Sequence, residues 1–427
     1  MRKGTVASAV GLPLTLYVSY DGILEPLGES QVLGYLERLA GGYAITLMTF
    51  EKQSDLRDIE RVRAFERRLS DRGIQWIPLR YHKRPALVST AVDVAQGIWQ
   101  GRRVLSVGVR LVHARGYVAG LVAMVLARLS GAAFIFDMRG FWADEKVDGG
   151  HWPSDSRTYA VTKYFERLFF ESADAIVSLT HAGVQAFPVL GYNISGDTAV
   201  EVIPTCADME RFSPGPKDAR LMATLGLADH PVIGVVGTIS NWYLRQPMLE
   251  TLAYLARAIA GAKVLFVTRE DPERLAADAR AAGMPAGSIV VTSADYSAMP
   301  DYMRLMDVGL FFIKVCFSKK GSCATKLGEF LAAGVPVVIN DGIGDSGRVV
   351  GEAGAGVVLP AGSVDAMRQC LPALRLLLGD SRTAGRCRDT ARVHFDVEEG
   401  SRKYARLYER VLQARAASLR CAEGEAT

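Results

Sequence analysis

Lys326 and Glu329 stand three residues apart in the run FSKKGSCATKLGEFLAAGVPVVI (Phe317–Ile339), and their types limit the chemistry this stretch can do. The polar, glycine-containing loop Ser318–Ser322 leads into a short helical pattern with Leu327, Phe330 and Leu331 on one side. Gly334 and Pro336 end it, glycine by supplying a left-handed residue and proline by refusing to continue the helix. A spacing of three places lysine and glutamate on one face. The start of a helix collects free backbone N–H groups and the positive end of its dipole, so it favours anions. Ser322 and Thr325 add hydroxyl donors there and Lys326 a formal charge, while Glu329 accepts from hydroxyls. That combination suits a ligand carrying both phosphate and hydroxyls, such as a nucleotide sugar. The same pair also reads as a surface ion pair on an ordinary α/β helix, worth little to stability.

Three further groups of polar residues follow apolar runs. The densest is Asp137-Met-Arg-Gly-Phe-Trp-Ala-Asp-Glu145, in which Asp137 and Arg139 offer both signs of charge for substrate hydroxyls and a developing phosphate charge. His113, two residues before Arg115, ends a neighbouring run and is a candidate proton carrier or a packed structural histidine. Asp137, Arg139 and His113 are the candidate catalytic groups. Gly237 and Thr238 open the second group, and Arg245 closes it with a charge for a phosphate. In the third, Gly28 permits close backbone approach and Glu29 follows at a helix start, both facing an acceptor. The chain has no P-loop, GxGxxG, HExxH or Ser-His-Asp pattern, and no acidic triplet or DxD dyad that would argue for a metal.

These residues need a frame. Leu14–Ser19 and Ala44–Phe50 are β-rich runs flanking a long loop and a helical pattern, the start of a doubly wound sheet. Further strand signals lie at Gln75–Leu79, Val112–Ala114, Phe134–Asp137, Ala175–Leu179 and Val200–Ile203. Pro204–Pro216 holds three prolines in thirteen residues and no periodicity, which marks a linker. A second ladder runs through Val232–Gly237, Lys263–Thr268, Ser288–Thr292, Val308–Ile313, Val337–Ile339 and Val357–Leu359. Its unbroken apolar strands fit a parallel sheet covered on both faces. The expected class is α/β, with a first domain over 1–205, a linker over 206–216 and a second domain over 217–395. A charged helix and tail over 396–427 can pack back on the first domain. Ligands of such sheets bind beyond the strand C-termini, so a cleft between the halves is the place for one.

With 427 residues, 49% hydrophobic and 22% charged, the composition is that of a soluble globular protein. The net charge of +4 is too small to argue for nucleic acid. Local clusters are basic: Arg80, His82, Lys83 and Arg84, then Arg102, Arg103, Arg110 and Arg115. They read as a solvated surface or as a peripheral contact with anionic lipid of the inner membrane face. Six cysteines without a CxxC pair point to a reducing cytoplasm, and no apolar run is long enough for a transmembrane helix.

The motif KLGEFLAAGVPVV, with the serine-containing loop before it and Asn340–Asp345 after it, resembles the donor-site segment of bacterial family 4 glycosyltransferases of the two-domain GT-B fold. VIPTCADMERFSP is similar to that family's interdomain linker, and Tyr296–Leu310 to the helix and strand that precede the donor segment. FDMRGFWADEK together with the donor segment looks like transferases of surface-polysaccharide assembly. The resemblance implies a fold of two tandem Rossmann-like domains. It also implies retaining sugar transfer from a nucleoside-diphosphate co-substrate to a glycan or lipid-linked acceptor, with no further cofactor and no bound metal. Glu329 matches the second glutamate of the family's paired-glutamate motif, a ribose contact, Lys326 lies in the same motif, and Arg245 falls in the region of the phosphate-binding basic residue. The family's first glutamate, eight residues earlier, falls on Gly321. Gly237-Thr238 replaces the usual Gly-Arg, and Asp137-Met-Arg139 stands where many relatives have a histidine loop. A nucleotide-sugar epimerase and a non-catalytic partner subunit would share the same frame.

Overall fold

The computed structural model describes residues 11–82 and 86–425; Lys83 and Arg84 of the basic cluster fall outside them. Among the described residues, seven apolar runs form one all-parallel sheet. These are β1 (Leu14–Ser19), β2 (Ala44–Glu51), β3 (Gln75–Arg80), β4 (Leu111–Arg115), β5 (Ala133–Asp137), β6 (Ala175–Ser178) and β7 (Ala199–Val202), in the order β3-β2-β1-β4-β5-β6-β7. Every residue of β4 and β5 is buried, because helices cover both faces of a parallel sheet. The second sheet contains β8 (Val232–Val236), β9 (Lys263–Val267), β10 (Ile289–Thr292), β11 (Val308–Phe311), β12 (Val337–Asn340) and β13 (Gly356–Leu359), in the order β10-β9-β8-β11-β12-β13. In each sheet the chain winds outward on one side of its first strand, then returns to that strand's other side. The reversal falls between β1 and β4 and between β8 and β11, where strand-end loops diverge and leave room for a ligand.

The segment joining the sheets is held along its length. Ala207 pairs with Asp396, Phe212 is fully buried, and the Arg388 guanidinium donates to the carbonyls of Met209, Phe212 and Ala332. The chain then crosses back. The helix Val397–Glu425 lies against the helix Gly34–Leu39 and buries Tyr404, Leu407, Tyr408 and Val411 in the core of the first sheet. Tyr43 donates from its hydroxyl to the Ala405 carbonyl at 3.1 Å, and Lys403 donates to the Val202 carbonyl at 3.0 Å.

A candidate nucleotide-sugar cleft

The helix Thr325–Ala332 begins beneath the end of β8. No side chain caps it at Ala324, so its first N–H groups are left for other partners. The Lys326 ammonium donates to the Val236 carbonyl at 2.5 Å and sits 4.1 Å from the centre of the Tyr243 ring. Gly237, at φ +81°, turns the chain directly over it. Glu329 is one turn further and only 6% exposed. Burial pushes its carboxyl up to about 7, against the pull of Lys326, Arg211 and Tyr296. Thr238 is exposed, and Ser322 and Thr325 are half-buried near the same helix start.

Arg245 is placed differently from the expectation of a free phosphate ligand. It begins the helix Arg245–Ala258, where its guanidinium meets Glu270 at 2.5 Å and Asp278 at 2.8 Å. Glu270 also accepts from the Ile239 N–H at 2.6 Å. The trio therefore ties down the loop after β8, and two carboxylates already neutralise the arginine.

On the first sheet, His113, Arg115, Asp137 and Arg139 come together at the ends of β4 and β5, but beneath the surface. His113 and Asp137 are fully buried. Tyr404 donates to Asp137 at 2.9 Å, and the Tyr408 hydroxyl lies 2.6 Å from His113 Nδ1. Both tyrosines come from the returning helix. Arg115 and Arg139 each approach Asp137 at 3.8 Å, close enough for charge attraction but not for a hydrogen bond. Burial raises the Asp137 pKa, yet Arg139, His113 and Arg115 outweigh it and hold the carboxyl down at about 2. Burial lowers the pKa of His113 and so favours its neutral form. In this conformation Asp137 and His113 are walled off from the cleft, so neither reaches a substrate placed there. Several polar atoms have no hydrogen-bond partner: Asp137 Oδ1, His113 Nε2, Arg139 Nη1, and Arg115 Nε and Nη1. Arg139 itself has φ +57°, a conformation that costs a non-glycine residue energy and concentrates at functional loops.

Gly28 and Glu29, expected to face an acceptor, sit in the short helical turns after β1. A side chain at Gly28 would come within 2.0 Å of the Gly22 carbonyl, which is why glycine is needed there. A π-turn over Glu29–Leu33 follows, and Glu29 reaches Arg68 at 2.8 Å. Buried Glu51 secures this loop by accepting from the N–H groups of Ile23 and Leu24.

Between this loop and the loops after β9 and β10 lies a cavity of about 400 Å³, lined among others by Glu25, Glu29, Arg61, Arg211, Arg269 and Tyr296. The Arg211 guanidinium stacks 4.0 Å from the Tyr296 ring, and both residues act on the Glu329 carboxyl. Of these cavity residues only Glu29 was expected; sequence reasoning passed over Glu25, Arg61, Arg211, Arg269 and Tyr296. Tyr296 follows closely on Thr292 at the end of β10, so the strand-end rule could have found it. Arg211 lies in the linker, where no periodic signal points to it.

A second contact joins the domains. The 3₁₀ turn Phe317–Gly321 is inserted against the helices Trp142–Asp148 and His181–Gln185. A Cβ on Gly321 would stand 3.2 Å from the Gly140 Cα, and one on Gly183 would stand 3.2 Å from the Gly321 Cα. Lys319, buried, pairs with Glu145 at 2.6 Å and lies 3.7 Å from the centre of the Trp242 ring. The Ser318 N–H donates to Asp148 at 3.0 Å, and Thr180 donates from its hydroxyl to the Lys320 carbonyl at 2.5 Å. Gly321 thus has a steric cause, since three glycines let two backbones touch where a side chain would hold them apart.

Residues 30–206 match the family model described as Glycosyl transferase 4-like domain. The two sheets with their helices have the GT-B fold, as comparison with solved structures shows. Sucrose-phosphate synthase from Thermosynechococcus elongatus superposes with a TM-score of 0.70 at 15% identity, covering 94% of this chain and all of that one. A glycosyltransferase from Rickettsia africae gives 0.70 at 14% identity, over 94% and 99% of the two chains. Anabaena HepE in complex with UDP gives 0.68 at 16% identity, over 92% and 99%. No curated protein matches the sequence.

Proposed function

We propose that this GT-B protein is a retaining glycosyltransferase. It moves a sugar from a nucleoside-diphosphate sugar to a glycan or lipid-linked acceptor of cell-envelope or exopolysaccharide assembly, and it uses no metal. The observation that carries the reading is the meeting of strand-end loops from both sheets around one cavity, whose lining residues Arg211 and Tyr296 act on Glu329, on the same uncapped helix as Lys326. Glu329 accepts from the ribose hydroxyls. Lys326, Thr238 and the Ser322 loop stabilise the leaving diphosphate, and the Arg245–Glu270–Asp278 trio holds the loop that carries Thr238. Loops of the first domain, from Gly28 and from Asp137–Arg139, flank the acceptor. The unpartnered polar atoms around Asp137 support an ordered water there, because buried polar groups otherwise lack compensation. Release of the Phe317–Gly321 turn from the first domain opens the cleft, and its return excludes water during transfer.

A thermal-shift screen against nucleoside diphosphates and their sugars tests the assignment. Ligand at a hundredfold over its dissociation constant stabilises the native state by about 2.7 kcal/mol. At least one nucleotide should raise the unfolding temperature of the wild type, and the rise should shrink in Glu329→Ala and Lys326→Ala. If no nucleotide shifts the wild type, the reading is wrong.

A further inference from the structure

Surface helices of folded domains present charged side chains to water, as Ile59–Asp71 does with Glu60, Arg63, Glu66, Arg67 and Asp71. The helix Ala86–Leu105 does not. Its exposed positions run Val88, Ala91, Val92, Ala95, Trp99, Arg102 and Arg103. Val88 is 61% exposed, Val92 48% and Trp99 53%, so three large apolar side chains lie open along one stripe. The Arg103 guanidinium lies 3.6 Å from the centre of the Trp99 ring, an outward-facing aromatic and cation stacked together.

The neighbouring helix Tyr117–Ser130 extends the patch. Gly97 packs on Val122 and Gly101 on Leu126, so the two helices run parallel with a constant offset. That register sets exposed Arg128 and Leu129 level with Arg103 and Val104. The charge is one-sided. Asp93 is the only carboxylate of the helix Ala86–Leu105, and it is buried, bonded to Tyr20 at 2.7 Å and to His82. Residues 94–136 contain no Asp or Glu but hold Arg102, Arg103, Arg110, Arg115 and Arg128.

We infer that the outer face of Ala86–Leu105 docks this protein onto a bilayer surface bearing anionic headgroups. Val88, Val92 and Trp99 enter the headgroup boundary, and Arg102, Arg103 and Arg128 pair with lipid phosphates. Among the described residues no helix is long and apolar enough to cross a membrane, so the contact is peripheral. The helix also joins the cleft, since Asp93 on its inner side binds Tyr20 in the loop after β1. An acceptor held in the same bilayer would lie beside that loop.

Co-sedimentation of the full chain with vesicles decides the matter. Binding is expected to vesicles of phosphatidylcholine mixed with phosphatidylglycerol, to fall with added salt, and to be absent from phosphatidylcholine alone. Each basic residue at such a surface changes partitioning roughly fivefold, so Arg102→Gln with Arg103→Gln should lower it roughly 25-fold. Trp99→Asp should lower it too. All three side chains are exposed, and an unchanged unfolding temperature confirms that the variants fold. No binding by the wild type, binding indifferent to lipid charge, or binding that survives both variants would overturn the inference. So would a wild-type dimer in solution that Trp99→Asp dissociates, because the face would then serve self-association. The nucleotide screen is read separately, so vesicle binding without a nucleotide response would sink sugar transfer and leave the docking surface standing.

Discussion

Asp137 and Glu329 are both buried carboxyls with basic neighbours, one at the end of a strand in the first domain and one on the helix Thr325–Ala332 of the second, yet they are driven in opposite directions. Asp137 is surrounded by Arg139, His113 and Arg115 and accepts from Tyr404, so the charged form wins and its pKa falls to about 2. Glu329 has cations nearby, but Lys326 is spent on the Val236 carbonyl and Arg211 on the Tyr296 ring. Desolvation then dominates, and the pKa rises to about 7. The first site is closed and holds a fixed charge. The second is poised near neutrality.

The sharpest way to break the comparison is to remove the fixed charge. Asp137→Ala leaves Arg139 without its counter-charge and Arg115 with only Asp21, at 3.8 Å, and takes away the acceptor of Tyr404. Breaking a buried pair from one side costs about 3–5 kcal/mol, to be read as a lowered midpoint in urea unfolding. The wild type has its own pH signature. A carboxyl depressed from 3.8 to about 2 contributes stability above the unfolded value and loses it as pH falls through the folded one.

Glu329 carries the reverse sign. Its folded-state pKa of about 7 exceeds the ordinary 4.5, so the native state holds the proton more tightly than the unfolded chain does. Stability should therefore decline as pH rises from about 4.5 to about 7, by up to about 3 kcal/mol. Glu329→Gln should remove that slope. Unfolding free energies across this range, for both proteins, check it, and parallel curves would mean that the carboxyl is charged throughout. Hydroxyl donors of a bound nucleotide favour the carboxylate, so affinity measured by calorimetry should increase from pH 6 to pH 8 in the wild type and stay flat in the variant.

The turn Phe317–Gly321 links the two regions, and its glycine offers a smaller perturbation. Gly321→Ala puts a methyl 3.2 Å from both the Gly140 backbone and the ring of Phe141, which is buried and has little room to yield. Overpacking of this kind costs about 1–3 kcal/mol and should lower the unfolding temperature. An undocked turn would instead accept alanine neutrally or gain from it. Gly321→Glu, which supplies the carboxylate expected from the family pattern, should be worse than alanine in stability.

How far the sequence foretells these sites depends on how local each signal is. Continuous apolar runs located the strands of both sheets to within a residue or two, which put Gly237 and Asp137 at strand ends and Lys326 and Glu329 on the helix before β12. The tandem doubly wound frame followed from these, and the resemblance of KLGEFLAAGVPVV to a known donor segment implied GT-B. The closure over Asp137 was hidden because Tyr404 lies 267 residues further along the chain. The helix Ala86–Leu105 was hidden for a different reason. It is apolar on its outer face as well as its inner one, so the periodicity that marks an amphipathic helix is blurred. Arg245 had the right type and place for a phosphate ligand, but Glu270 and Asp278, which claim it, belong to a loop and a helix whose approach no local pattern encodes.

Arg245 gives the smallest expected effect and the finest distinction. If Lys326 alone among the two cations serves the diphosphate, Arg245→Ala acts only through the loop it ties down. Its ion pairs are partly exposed, and such pairs contribute at most about 1 kcal/mol. Nucleotide affinity should then fall less than about fivefold, whereas Lys326→Ala removes the ammonium beside Gly237 and should cost about tenfold or more. Glu270→Gln separates the remaining possibility. It loosens Arg245 from its neutralising partner, so an arginine that is merely restrained would turn toward the phosphate and tighten binding. An arginine that works as an anchor would weaken it, because the Ile239 N–H and the loop after β8 would lose part of their hold.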